Sequence, residues 1–229
     1  MAARDSDITP VVEDYLKVVW SAGEWAETRV TTKLLAERLG VGPSTVSENV
    51  RRMVGLGLLD HEPYGAISLT AEGERLAVAM VRRHRLIETY LVERLGYAWD
   101  EVHDEAEVLE HAVSDLMLAR IDAALGHPTR DPHGDPIPTV DGELPASDAC
   151  TLADLASGVT GVVVRISDAD PELLRWFTEL GLGLDARVEV VALREFAGTV
   201  TVAWTRPDGT TSEASLGLPA ARSVWVAEG

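Results

Sequence analysis

The stretch Val30-Thr31-Thr32-Lys33-Leu34-Leu35-Ala36-Glu37-Arg38-Leu39-Gly40-Val41-Gly42-Pro43-Ser44-Thr45-Val46-Ser47-Glu48-Asn49-Val50-Arg51-Arg52-Met53 decides the fold. Val46, Val50 and Met53 recur at helical spacing, and Pro43 suits the first turn of a helix. A short helix, a tight glycine-containing turn and a second helix make a helix-turn-helix. Ser44, Thr45, Ser47, Glu48 and Asn49 are left pointing outward, as short polar side chains able to meet base edges and phosphates in a major groove. An ordinary helical hairpin is the other reading of the same pattern.

Charge points to the same window. The 229-residue chain carries a formal net charge of −18, which repels a polyanion except where bases are concentrated. From Arg29 to Arg52, the bases Arg29, Lys33, Arg38, Arg51 and Arg52 face only Glu37 and Glu48. Contact with DNA is expected there, with Arg29, Arg38, Arg51 and Arg52 among its residues.

Upstream, Thr9 and Pro10 announce a helix whose apolar stripe is Val12, Tyr15, Leu16, Val19 and Trp20, with Asp14 off the stripe. Downstream, Leu58 to Thr70 has the turn residues and alternation of a hairpin, which turns the motif into a winged helix-turn-helix. Thr70 is placed to cap a further helix that runs past His84 and Glu88 to about Leu95, with Gly96 as its stop.

Next comes Val102-His103-Asp104-Glu105-Ala106-Glu107-Val108-Leu109-Glu110-His111. Within one helix from about Trp99 to Leu125, it would place His103, Glu107, Glu110 and His111 on one side. Imidazoles and carboxylates converging there repel or compete for protons unless a cation lies among them. His84 and Glu88 form a second pair at i, i+4. The opposite stripe, Val108, Ala112, Val113, Leu116, Ala119 and Ala123, is small and apolar, suited to the core or to a second copy of the chain.

From Gly126 to about Cys150 the chain is rich in proline and reads as a linker or extended segment, with His127 and His133 as solvated loop residues. The remainder alternates as strands around a helical piece from Pro171 to Leu180, and a small barrel of roughly five strands fits. The expected domains are 1–75, a winged helix-turn-helix; 76–126, a helical metal-binding and dimerisation domain; 127–150, a Pro-rich linker; and 151–229. Hydrophobic content of 46% and charged content of 25% suit a globular protein. With one cysteine, no apolar run of membrane length and an acidic start, the expectation is a cytoplasmic protein with no intramolecular disulfide and no membrane partner.

With these motifs in place, His103-Asp104-Glu105-Ala106 followed by Glu110-His111 resembles the diphtheria toxin repressor family of metal-dependent transcriptional regulators. The likeness covers nearly the whole chain. It implies a mainly α fold with a small all-β domain: N-terminal winged helix-turn-helix, helical dimerisation domain, and a C-terminal SH3-like β-barrel beyond the Pro-His-Gly-Asp-Pro-Ile-Pro segment. Carried over, a primary site would use Asp14, Glu107, Glu110 and His111. An ancillary site would use His84, Glu88 and His103, completed by third-domain acids such as Asp168, Asp170 and Glu172. The implied action is that of a homodimer on double-stranded DNA at an inverted-repeat operator, repressing metal-homeostasis genes when metal is abundant.

Asp14 and Glu107 stand where the iron-responsive branch resembles a methionine and a cysteine. Hard oxygen ligands suit Mn²⁺, although Fe²⁺ and Co²⁺ would also bind. Lys17 stands where small manganese regulators carry a glutamate, which implies two separate sites per subunit. An Fe²⁺-responsive regulator is the alternative within the family. A metal-dependent hydrolase, or a winged-helix regulator indifferent to metal, are the alternatives outside it.

Overall fold

Helix α3 (Pro43–Gly55) turns Val46, Val50 and Met53 into the interior, where they meet Val12, Tyr15, Leu16 and Val19 of α1 (Pro10–Glu24) and Leu35 of α2 (Thr32–Leu39). This is the helix-turn-helix read from the sequence. Thr31 Oγ1 accepts a hydrogen bond from Leu34 N at 3.2 Å and starts α2, and Gly40, at φ 65°, closes it. Pro10 opens α1, but the Thr9 side chain makes no capping bond. Strands β1 (Leu59–His61) and β2 (Ile67–Leu69) pair antiparallel as the wing. Thr70 Oγ1 accepts from Gly73 N at 3.1 Å and begins α4 (Ala71–Tyr90).

In this computed structural model the described residues are 7–25, 28–61, 65–145 and 147–228, so the expected tip of the hairpin, 62–64, lies outside them. The chain divides into two units. The first is Met1–His84 with Glu110–Ala112 and Pro138–Glu143; the second is Arg85–Leu109, Val113–Ile137 and Leu144–Gly229.

In the second unit α4 ends in a wider turn, Leu91–Leu95, stopped by Gly96 at φ 77°. The single helix expected from Trp99 to Leu125 is in fact two, α5 (Val102–Leu109) and α6 (Asp115–Leu125). Ser114 Oγ accepts from Met117 N at 3.3 Å and starts α6 afresh. This leaves Glu110 and His111 in the turn between the helices rather than on the face of α5. Of the expected apolar stripe, Val113 is buried while Val108 and Leu116 are exposed, as is the neighbouring Met117.

The C-terminal part is a six-stranded antiparallel sheet in the order β3 (Cys150–Thr151), β8 (Val224–Glu228), β4 (Thr160–Ile166), β5 (Arg187–Arg194), β6 (Thr199–Thr205), β7 (Thr211–Gly217). The inward residues alternate along the strands, as in Val200, Val202 and Trp204 of β6, and pack on Leu174 and Phe177 of α7 (Pro171–Leu180). A short helix, α8 (Leu218–Ala221), joins β7 to β8.

Part of the proline-rich segment differs from a linker. Asp131, His133, Asp135 and Ile137 are buried. Asp131 Oδ1 accepts from the backbone N of His133 at 2.8 Å and of Asp135 at 2.9 Å, and Ile166 N donates to the His133 carbonyl at 2.8 Å. Arg85 Nη1 donates to the Pro136 carbonyl at 2.7 Å, and Arg165 Nε donates to Asp135 Oδ1 at 2.7 Å. Buried acids answered by two arginines turn a polar loop into part of the interior.

Gly134 is required at its position: its φ is 92° and a Cβ there would overlap the Val164 carbonyl. Gly134→Ala should therefore cost about 1–3 kcal/mol or more, read as a lowered urea midpoint, whereas Gly183→Ala, which meets nothing within 4 Å, should be mild.

Candidate metal centres

Asp14 and Glu13, neighbours on α1, both face His111. Glu13 Oε2 lies 2.9 Å from His111 Nδ1, and Asp14 Oδ1 lies 2.9 Å from His111 Nε2. Each imidazole nitrogen thus meets a carboxyl oxygen, an arrangement that a cation in place of one ring proton would also satisfy. Glu110 Oε1 lies 3.6 Å from the same Nε2. Asp14, Glu110 and His111 each offer a ligand atom within 4.8 Å of the others.

The Glu110 side chain is fully buried, and both of its oxygens are engaged. Lys17 Nζ lies 2.5 Å from Oε1, and His84 Nδ1 lies 2.6 Å from Oε2. Burial alone would raise the Glu110 pKa, but the bond to His84 and the charges of His84 and Lys17 outweigh it and hold the carboxyl below its ordinary range. His84, which the resemblance assigns to the ancillary site, is thus also bonded to Glu110 in the first unit.

The second unit brings Glu88, His103 and Asp168 together. His103 Nδ1 lies 3.3 Å from Glu88 Oε1 and 3.4 Å from Asp168 Oδ2, and Glu107 Oε1 is 3.6 Å from His103 Nε2. The other two acids expected beside it are placed differently. Asp170 caps α7 by accepting from the backbone N of Glu172 and Leu173 at 2.9 and 3.3 Å, and Glu172 is exposed in that helix's first turn. Residues so close to an N-cap serve the helix before they serve a ligand.

Two residues of this group were set aside or unnoticed in the sequence, His133 and Asp131. His133, expected to be solvated, is fully buried, and Glu88, Asp131 and His133 offer ligand atoms within 4.8 Å of one another. His133 Nε2 lies 2.7 Å from the Trp99 carbonyl, which can only accept, so Nε2 carries the hydrogen. In the neutral ring Nδ1 is then a lone pair. It is buried without a hydrogen-bond partner, 3.8 Å from Glu88 Oε2. A lone pair facing a carboxylate in a buried site is repulsive unless something positive lies between them. Burial, followed by the charges of Asp135 and Glu88, also pushes Asp131 well above the usual carboxylate range. The donors fit a divalent cation: several carboxylate oxygens and imidazole nitrogens, with no thiolate.

On the candidate DNA face, Arg29, Arg38, Ser44, Thr45, Ser47, Glu48, Arg51 and Arg52 are exposed and Asn49 is half-buried. Ser47 Oγ donates back to the Pro43 carbonyl at 2.9 Å, and Asn49 Nδ2 donates to the Thr45 carbonyl at 3.1 Å and to Tyr15 Oη at 3.5 Å. Glu13 also escaped the sequence reading, and Lys17 was read only through the resemblance, without its contact to Glu110. Glu13 sits beside Asp14, which is a usable signal, but nothing in the periodicity of α1 marks Lys17 as buried.

Comparison with known proteins gives three family matches that cover these parts in turn. Residues 7–67 match the iron-dependent repressor N-terminal DNA-binding domain, residues 70–139 the iron-dependent repressor metal-binding and dimerisation domain, and residues 150–228 the FeoA domain. The chain is 34% identical over 198 residues to the iron-dependent repressor IdeR of Mycobacterium leprae, a match covering 81% of this chain and 85% of that one. It is 31% identical over 196 residues to the diphtheria toxin repressor of Corynebacterium glutamicum, again covering 81% and 85%. Among solved structures it is similar to a manganese-dependent transcriptional repressor in complex with manganese, with 58% identity, TM-score 0.89 and coverage of 95% and 99%. It is also similar to ScaR with bound Cd²⁺, with 32% identity, TM-score 0.79 and coverage of 95% and 99%.

The Asp168–His103 contact predicts a pH dependence in metal-free protein. For His103, burial lowers the pKa, but the hydrogen bonds and charges of Asp168 and Glu88 prevail and raise it from 6.5 to about 10. For Asp168, burial raises the pKa, but His103 prevails and lowers it from 3.8 to about 2. The His103 contribution is complete below pH 6.5 and is lost as pH rises through about 10. The Asp168 contribution is complete above pH 3.8 and is lost as pH falls through about 2. The melting temperature of Asp168→Asn should fall furthest below that of the parent between those two ordinary values, and a difference that is flat from pH 3 to pH 10 would contradict the pairing.

Proposed function

The chain belongs to the diphtheria toxin repressor family of metal-dependent, DNA-binding transcriptional repressors, and on that premise we propose that Mn²⁺ activates it through two sites in each subunit. It is not an enzyme, so the hydrolase reading falls with the family assignment. The observation that carries the proposal is the pair of carboxylate and imidazole groups, one in each unit, each with ring nitrogens facing carboxylate oxygens.

In the first unit Asp14, Glu110 and His111 are the proposed ligands, with Glu13 orienting the imidazole. In the second they are Glu88, His103, Asp131 and His133, with Asp168. The bound ion supplies positive charge that the acids share, in place of protons on the imidazoles. Both sets are rich in hard oxygen donors and contain no sulfur, which favours Mn²⁺. The 58% identical neighbour is described as manganese-dependent and holds manganese, and this supports the same choice. The iron-dependent naming of the 34% identical relatives supports Fe²⁺ as the second reading.

Asp14 lies on α1, whose Tyr15 and Leu16 share a core with Val46 and Val50 of α3. Drawing Asp14 and His111 together therefore fixes the position of the DNA-binding core, and its coupling to operator affinity is reciprocal. We place the dimer contact on the exposed Val108, Leu116 and Met117. Two recognition helices related by a two-fold axis then read an inverted repeat.

In a chelator-buffered titration Mn²⁺ should strengthen binding to an inverted-repeat operator, and Asp14→Ala should raise the Mn²⁺ concentration required by more than about tenfold. Operator affinity that is unchanged with and without Mn²⁺ would refute the proposal, and activation by Fe²⁺ alone would move it to the second reading.

A further inference from the structure

Lys17 brings an ammonium into the acids of the first group. It sits one turn after Glu13 and Asp14 on α1, it is only 8% exposed, and its ammonium is 2.5 Å from Glu110 Oε1. The choice of oxygen matters. Oε2 is held by His84 at 2.6 Å, so Oε1 is the oxygen turned toward His111 Nε2, at 3.6 Å, while Asp14 Oδ1 reaches that nitrogen at 2.9 Å. The atoms that converge are thus Asp14 Oδ1, His111 Nε2 and Glu110 Oε1, and a cation of the protein's own already rests on the third.

We propose that Lys17 is a positioning and affinity-setting residue, a built-in counter-charge that holds Glu110 ready and opposes the incoming divalent ion at the same oxygen. The proposal rests on the reading that Asp14, Glu110 and His111 are metal ligands.

The physical case has two sides. Without an ion, Glu13, Asp14 and Glu110 would repel one another, and Glu110 is buried where an uncompensated charge is very costly. The ammonium removes much of that strain, so the group stays assembled in metal-free protein. With the ion present the same ammonium becomes a like charge, so occupancy requires a higher metal concentration than the ligands alone would demand. Lys17 thereby sets the level at which the regulator responds, and it makes the first site weaker than its donor set implies.

The test is a chelator-buffered Mn²⁺ titration of Lys17→Met, Lys17→Gln and Lys17→Arg, with Asp14→Ala and His133→Ala to identify the two events. Removing the charge should tighten the event lost in Asp14→Ala by about tenfold, as expected for a divalent ion about 5 Å from an ammonium even with water-like screening. The event lost in His133→Ala should not move. Lys17→Arg should stay close to the parent in both. The metal-free Lys17→Met protein should melt lower than the parent and recover on adding Mn²⁺; Lys17→Gln keeps a donor for Glu110 and carries the same affinity expectation with a milder loss of stability. An unchanged or weakened first event in folded Lys17→Met or Lys17→Gln overturns the proposal. A first event that persists in Asp14→Ala overturns the ligand assignment instead, whatever Lys17 does.

Discussion

A carboxylate removed from water decides how the first unit is built. Glu110 is fully buried, and an isolated charge there would be among the most expensive features of the fold. It is accommodated because α1 supplies Lys17 to one oxygen and α4 supplies His84 to the other. The turn 110–112 is thereby fixed against both helices by charge as well as by packing. Buried ion pairs of this kind contribute little net stability, but losing one partner is costly. The second unit follows the same rule. Asp131, Asp135 and Glu88 are buried acids, and Arg85, Arg165 and the two imidazoles of His103 and His133 are placed against them.

The acids that shape the fold are also the proposed ligands, so metal binding and packing share the same groups. The α1 helix illustrates this. One side carries Val12, Tyr15 and Leu16 into the core formed with the recognition helix, and Glu13, Asp14 and Lys17 meet the turn 110–112. A change in the charge at that turn is therefore felt by the element that positions α3. In the proposed regulation, the scaffold's contribution is this shared helix.

Much of this was legible in the sequence, for stated physical reasons. Periodicity exposed the helix-turn-helix because Val46, Val50 and Met53 repeat with the helical period, and alternation exposed the strands of the C-terminal sheet. His103, Glu110 and His111 were visible as chemistry, yet their placement was not. The Ser114 cap, a one-residue signal inside an apparently continuous helix, moves Glu110 and His111 off α5 and changes which residues they meet. His133 was unreadable for another reason. Its neighbours are prolines, glycine and aspartates, which look solvated until Arg85 and Arg165 are known to answer the acids. Lys17 was hidden by the same limit, since its burial depends on Glu110, a partner 93 residues away. Sequence patterns report local period, whereas these three residues are placed by long-range charge pairing.

Anomalous diffraction from crystals of the Mn²⁺-loaded protein tests the central claim most directly, because it locates the ion independently of any effect on DNA. Two peaks are expected, one among Asp14, Glu110 and His111, the other among Glu88, His103, Asp131, His133 and Asp168. Peaks confined to solvent-exposed acids, with both of these groups lacking manganese, would contradict it.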